Sequence, residues 1–268
     1  MKYKLFLVLG VASAMSASVF ADSFINGGFD TGTTNGWTLH SGTWSASSPG
    51  TINNSWQGDS AVITSTNATD ANTSGNLREV LQGTDSFRLN NAATGAHYST
   101  VSQTVNSYTN ADFYFGFAAV LEDPGHPEVQ EPKFSFSIFD VTKGQLLYNV
   151  AFNSANMASQ GIAYHAGKTD WKYTDWNVVH VDTSLLRGDT FTITASAYDC
   201  SLGGHGGYAY IDSFQSMVPV ANAGVSFTLL QADNLIEAVP EPTSIVLWSL
   251  GGIALCWYGK RRQAQRAA

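Results

Sequence analysis

Two cysteines in 268 residues, Cys200 and Cys256, exclude a disulfide scaffold. Only 13% of the chain is charged, with 13 basic side chains against 21 acidic ones and a net charge of −8. That sign excludes the electrostatic footprint of a nucleic-acid binder. No long stretch carries a 3.6-residue apolar period, so helices have no signal. Signatures of common enzyme classes are missing too: there is no Gly-x-Ser-x-Gly, His-Glu-x-x-His or phosphate loop. Disorder is excluded by the opposite observation, 44% hydrophobic and 12% aromatic residues. What remains is a composition rich in Gly, Ser, Thr and Asn, which suits a secreted all-β protein with many turns.

The two ends read as addresses. Lys2 and Lys4 precede an apolar run over residues 5–11, and small residues follow up to Val19-Phe20-Ala21. This order predicts a signal peptide over 1–21, cut by signal peptidase before Asp22; the alternative is an N-terminal membrane anchor. At the other end, Pro240-Glu241-Pro242 precedes an apolar stretch over 245–258 and then Lys260, Arg261, Arg262 and Arg266. Those fourteen residues would span roughly 21 Å as a helix, short of a ~30 Å bilayer core unless the flanks help. The basic tail predicts a cytoplasmic end, with the body exported. Without the ends, residues 22–240 hold seven basic and twenty acidic side chains, a net of −13, and Cys200 as their sole cysteine. Such a surface suits cations and neutral glycans better than nucleic acid or anionic lipid.

Inside the body the period is two. Phe134, Phe136 and Ile138 alternate with Ser135 and Ser137; Phe191, Ile193, Ala195 and Ala197 alternate with Thr192, Thr194 and Ser196; Phe113, Phe115 and Phe117 share one face. These patterns predict strands over 112–120, 133–141 and about 191–197. Shorter candidates lie at 60–64, 86–89, 100–105, 145–150, 176–181 and 208–214, with a terminal strand near 225–230. About ten short strands predict an all-β fold, a single jelly-roll β-sandwich over 22–218. A terminal strand and linker follow over 219–238, and the C-terminal segment occupies 239–268. Residues 67–76, polar and small, predict a flexible surface loop. Residues 121–132, with three prolines and four acids, cannot form a central strand.

Two resemblances sharpen this. The Pro240-Glu241-Pro242 motif, short apolar helix and basic tail resemble the PEP-CTERM sorting signal of bacterial surface proteins. That resemblance implies processing by an exosortase, transient anchoring in the inner membrane, and release towards the extracellular polymer matrix. An ordinary single-pass anchor is the other reading. In the body, Asn26-Gly27-Gly28-Phe29-Asp30 with Gly36-Trp37 is similar to the first strand of carbohydrate-binding-module-like jelly rolls. Ser86-Phe87-Arg88-Leu89-Asn90, Gly95 and Gln103-Thr104-Val105 resemble the same family's middle strands. The closing block from Trp176 through Asp199-Cys200 and Gly204-His205-Gly206-Gly207-Tyr208-Ala209-Tyr210-Ile211-Asp212 looks like a galactose-binding-like module. The matches span about 26–214.

The family resemblance implies a structural Ca²⁺ between first and last strands, with Asp30 and Asp212 at the acidic positions; the family often has Glu where this chain has Asp30. The bland alternatives are a solvated turn residue and a strand-end acceptor. Four glycines surround His205 in 203–207, which predicts a tight loop against a ligand or a neighbouring strand. Cys200 and His205 supply two of the four ligands of a structural zinc site, a weak signal, and a loop hydrogen bond is the commoner use of such a histidine. Cys200 reads as a buried structural cysteine. Trp44, Trp56, Trp171 and Tyr173 lie in polar, turn-like surroundings and are candidates, with His205, for a glycan platform; core packing is the alternative, and it is the expectation for Trp176. Glu122, Asp123, Glu128 and Glu131 invite a glycosidase reading but carry no motif. The expected function is therefore a non-catalytic, exported protein binding glycan or exopolysaccharide. A polysaccharide-active enzyme of the same fold, or a purely structural matrix protein, stands as the alternative.

Overall fold

A computed structural model of the chain describes residues 24–46 and 59–232. The expected signal peptide, Trp56, Pro240, Glu241, Pro242 and the apolar C-terminal stretch lie outside the described residues. Among those described, no helix is long and apolar enough to cross a membrane.

Thirteen strands run through the described chain: β1 Thr38–Thr43, β2 Ala61–Ile63, β3 Ser86–Leu89, β4 His97–Val105, β5 Asp112–Glu122, β6 Lys133–Asp140, β7 Gln145–Asn153, β8 His165–Ala166, β9 Trp171–Tyr173, β10 Trp176–Asp182, β11 Phe191–Tyr198, β12 Gly207–Gln215 and β13 Phe227–Gln231. They form two sheets, a β-sandwich. The five-stranded sheet has the order β1-β4-β11-β6-β7 and is antiparallel throughout. The eight-stranded sheet has the order β13-β10-β5-β12-β3-β2, with β9 added to the far end of β5 and β8 to β9. Every strand expected from alternation is present, within a few residues at its ends. β1, β8 and β9 had no alternating signal: β1 is almost wholly polar, and the other two are two and three residues long.

The expected faces are the observed ones. Phe113, Phe115 and Phe117 of β5 point between the sheets and meet Phe191, Phe136 and Phe134 across the gap. Their ring centroids are 5.7, 3.7 and 5.0 Å apart, each pair stacked. A buried phenylalanine contributes about 1.5–3 kcal/mol from area alone, and stacked pairs add about 0.5–1.5 kcal/mol. Phe29 closes one end, stacked on Trp37 and Phe87 at 5.1 Å each.

The other face of β5 is apolar as well. Ala118 and Val120 join Leu77, Leu81, Tyr173, Trp176, Val178, Tyr208 and Tyr210 in a second cluster. Leu77 and Leu81 come from the connection between β2 and β3, and Ala221 and Val225 from the connection before β13 also pack there. Trp176 is core, as expected, 1% exposed with its indole N–H on the Arg78 carbonyl at 2.8 Å. The outer side of the eight-stranded sheet is thus roofed by the chain's own connections.

β13 docks on β10 in parallel, and His180 ties three strands at that edge. Its Nε2 lies 2.6 Å from Asp112 Oδ1 on β5 and its Nδ1 2.8 Å from Gln231 Oε1 on β13. Burial depresses the imidazole pKa, but its bonds to Asp112 and Gln231 and the charges of Asp112 and Asp182 outweigh this and raise it. A raised folded-state value means that this stabilisation is complete below the unfolded pKa of about 6.5 and is lost as pH rises through the folded value. NMR titration should therefore show His180 titrating above an ordinary histidine, and Asp112→Asn should bring it down. An unchanged midpoint in the variant refutes the linkage.

Candidate functional site

Three polar constellations stand out, each built where elements meet. The first is the end of the sandwich where β11 runs out. Asp199, fully buried, accepts the amide of His97 on Oδ2 at 3.0 Å. Its Oδ1 accepts the Asn90 side chain at 2.9 Å and the Gly207 amide at 3.2 Å. Its pKa is pushed up to about 7, burial outweighing those bonds. One carboxyl thus gathers the start of β4, the end of β3 and the glycine-rich loop 199–207. The expectation of close approach by that loop is met by protein: a Cβ on Gly207 would collide with the Tyr198 carbonyl and sit 2.8 Å from Pro132 Cβ.

Trp44 also belongs here, and it corrects the expectation of an open ring. It is 9% exposed, its indole N–H donates to the Asp199 carbonyl at 3.1 Å, and Lys133 Nζ stands 4.1 Å from its ring centroid. The indole pins the loop because its donor needs a partner once buried. Tyr173 is likewise buried, 5% exposed, in the second apolar cluster. Trp171, opposite Glu122 on β5, stays half-buried and rests on Tyr208 at 5.5 Å and on Gly206. His205, half-buried, lies 5.1 Å from His126, ring centroid to centroid.

The four acids of 121–132 work as loop ties. Glu122 accepts the Gly206 amide at 2.9 Å, Asp123 pairs with Lys172, Glu128 holds Asn153 and Asn156, and buried Glu131 accepts the Ser154 hydroxyl at 2.7 Å.

The second constellation lies under the roof of the eight-stranded sheet. Asp70, 3% exposed, accepts Tyr208 and Tyr210 hydroxyls on Oδ2 at 2.6 and 2.7 Å, and the amides of Asn72 and Thr73 on Oδ1 at 2.8 and 3.0 Å. The pKa of both tyrosines is raised by burial and by the Asp70 charge. Residues 67–76, expected as a flexible loop, are therefore an ordered turn packed on β12. The apolar pattern was blind to this because the anchor is a carboxylate, and the Asp-x-Asn-Thr order is the turn grammar that encodes it.

The third brings Asp30 and Asp212 together, one from the first turn and one from β12. Asp30 Oδ1 accepts the Thr84 and Asp85 amides at 2.7 and 3.1 Å, and buried Asp212 Oδ2 accepts Leu81 and Gln82 amides at 3.1 Å each. The other oxygens both face Gly28, a Cβ on which would lie 2.8 Å from Asp30 Oδ2 and 3.7 Å from Asp212 Oδ1, and Asp212 Oδ1 also accepts the Ser213 hydroxyl at 3.2 Å. Burial, and then the nearby Asp30 charge, raise the Asp212 pKa well above the ordinary value. Two facing carboxylates beside a side-chain-free glycine fit a hard cation, which takes oxygen ligands.

Among the described residues, one broad surface is left uncovered. On the outer face of the five-stranded sheet, Thr100, Ser102 and Thr104 of β4 stand beside Ser196, Thr194 and Thr192 of β11, and Ser135 and Ser137 of β6 continue the rows. Thr100 and Ser196 hydroxyls are 2.9 Å apart, as are those of Thr104 and Thr192. Most of these side chains are half-buried or exposed although they lie on interior strands. At one end Tyr198 bonds Ser196 and Ser135, stacks on Tyr98 at 5.7 Å, and carries Lys133 Nζ at 4.4 Å from its centroid. His40 on β1 borders the rows opposite Thr100.

No protein-family model and no curated protein matches the chain. Solved structures do. The carbohydrate-binding module TmCBM61, in complex with β-1,4-galactotriose, is 15% identical over 72% of this chain and 96% of its own, with a TM-score of 0.41. CBM28, a carbohydrate-binding module specific for non-crystalline cellulose, is 12% identical over 71% and 92%, with a TM-score of 0.37. The enzymatically active domain of tailspike protein 4 of Bacteriophage CBA120 is 14% identical over 72% of this chain, with a TM-score of 0.36. The chain spans 21% of that tailspike structure.

Proposed function

We propose that the protein is an exported, non-catalytic glycan-binding protein that holds a polysaccharide along the outer face of the five-stranded sheet. The observation that carries this reading is the pair of outward hydroxyl rows on β4 and β11, ending at the Tyr98–Tyr198–Lys133 stack. Serine and threonine hydroxyls both donate and accept, which matches sugar hydroxyls. The opposite sheet offers no equivalent face, because its own connections lie on it. The body's net charge of −13 favours a neutral polymer over an anionic one. β-1,4-Galactotriose and non-crystalline cellulose, named for the two modules above, are the first ligands to try.

Isothermal titration with β-1,4-galactan, cellulose and xylan oligosaccharides tests the reading. At least one should bind, and Thr194→Trp, which fills the middle of the rows, should weaken it about tenfold or more. Binding untouched by Thr194→Trp but lost in Trp171→Ala would move the site to β9 and sink this placement.

Calcium belongs to the same proposal, as a structural ion. Asp30 and Asp212 would hold it, completing their ligand set from backbone carbonyls. What it supplies is charge compensation between two carboxylates that otherwise repel. Removal of Ca²⁺ with chelator should lower the melting temperature, and Asp30→Asn should abolish that response. A melt indifferent to chelator rules the ion out.

Export and sorting rest on residues 1–21 and 239–268. In a host carrying an exosortase, the protein should reach the medium shortened near Pro240, and substituting Pro240, Glu241 and Pro242 by alanine should leave it in the membrane fraction. Release of the alanine variant at the wild-type size contradicts the sorting reading.

A further inference from the structure

We propose that His126, Cys200 and His205 form a second metal site, one that takes a thiophilic ion, Zn²⁺, and is separate from the Asp30–Asp212 pair. The Cys200 thiol and one ring nitrogen of each histidine all lie within 4.8 Å of one another. In a tetrahedral zinc site with Zn–S of about 2.3 Å and Zn–N of about 2.0–2.1 Å, ligand atoms sit roughly 3.3–3.7 Å apart. The two half-buried histidines would close the difference by turning about their side-chain bonds.

Several features point to a ligand here beyond the side-chain types. The Nδ1 of His205 is buried and has no hydrogen-bond partner among the described residues, a costly state for a ring nitrogen unless something binds it. The Leu202 amide donates to Cys200 Sγ at 3.3 Å, which fixes where the sulfur points. Cys200 itself is fully buried and held on both sides: its N–H donates to the His205 carbonyl at 3.0 Å, and its carbonyl accepts the Gly203 amide at 2.9 Å. The loop carrying His126 is tied to the same place, because the Ser201 amide donates to the Gln130 carbonyl at 2.9 Å. Two connections distant in sequence are thus fixed side by side with their soft ligands turned together.

The ligand set decides the ion. A thiolate with two imidazoles prefers Zn²⁺ or its neighbours over Ca²⁺ or Mg²⁺, which take oxygen. Three protein ligands leave the fourth position for water. The partial exposure of both histidines places that position towards solvent. In an oxidising exterior a bound ion would also keep a lone thiol from oxidation. The sequence showed Cys200 and His205; the third ligand was hidden because His126 lies 74 residues before Cys200.

The test is metal analysis of the purified full chain after equilibrium with Zn²⁺ and gel filtration. One Zn²⁺ per chain is expected, and Co²⁺ in its place should show a thiolate-to-metal charge-transfer band. His126→Ala, at a half-buried loop position, should fold with an unchanged metal-free melting temperature yet bind roughly 100-fold more weakly or worse, the range that even outer-shell changes reach. Cys200→Ser should abolish the band, and Asp30→Asn, at the exposed member of the carboxylate pair, should keep the zinc. Absence of stoichiometric zinc, a Co²⁺ spectrum without thiolate character, full affinity in His126→Ala, or zinc lost in a folded Asp30→Asn overturns the site.

Discussion

The structure depends on one constraint: β5 is buried on both faces. An antiparallel strand normally needs cover on one side only. Here Phe113, Phe115 and Phe117 fill the space between the sheets, while Ala118 and Val120 look out from the other side into a second apolar cluster. That second face cannot be left to water, so the β2–β3 connection and the segment before β13 must lie over it. Connections bring backbone and polar side chains with them, and these need partners once buried. Asp70 answers that demand, collecting two tyrosine hydroxyls and two amides in one carboxylate.

The same constraint divides the two sheets by role. Cover for β5 uses up the outer face of the eight-stranded sheet, which leaves the five-stranded sheet as the surface facing solvent. Its outward residues on β4 and β11 are mostly hydroxyls set at strand spacing, bordered by His40, Lys133, Tyr198 and the exposed Phe139. The Asp199 carboxyl then fixes the sandwich end next to that surface, gathering β3, β4 and the glycine-rich loop. Geometry at that end is set by hydrogen bonds more than by apolar packing.

How much was legible follows from this division. Alternation revealed the long strands and their inward faces, because a strand with one buried side writes its pattern directly into the sequence. It also identified Trp176 as core. It was silent on β1, whose residues are mostly exposed, and on β8 and β9, too short for a period. Residues 67–76 misled because their anchor is a buried carboxylate, which composition counts as polar. Trp44 misled in the reverse sense: its polar neighbours in sequence are replaced in space by Tyr198 and Lys133. Of the candidate ligands, Asp30 and Asp212 do converge, 182 residues apart. The family pattern had paired them; spacing alone could not.

β13 is the last strand described, and it lies parallel to β10 at the sheet's edge. Any tension entering from the C-terminal side therefore reaches this ladder before the rest of the sandwich. A pull along the strand loads all its hydrogen bonds together, in shear; a pull across the sheet opens them one at a time, starting beside His180 and Gln231. The resistance of this edge would thus depend on the direction of the load, and because Leu230 and Ala232 pack on the main core, peeling the ladder would also begin to uncover it.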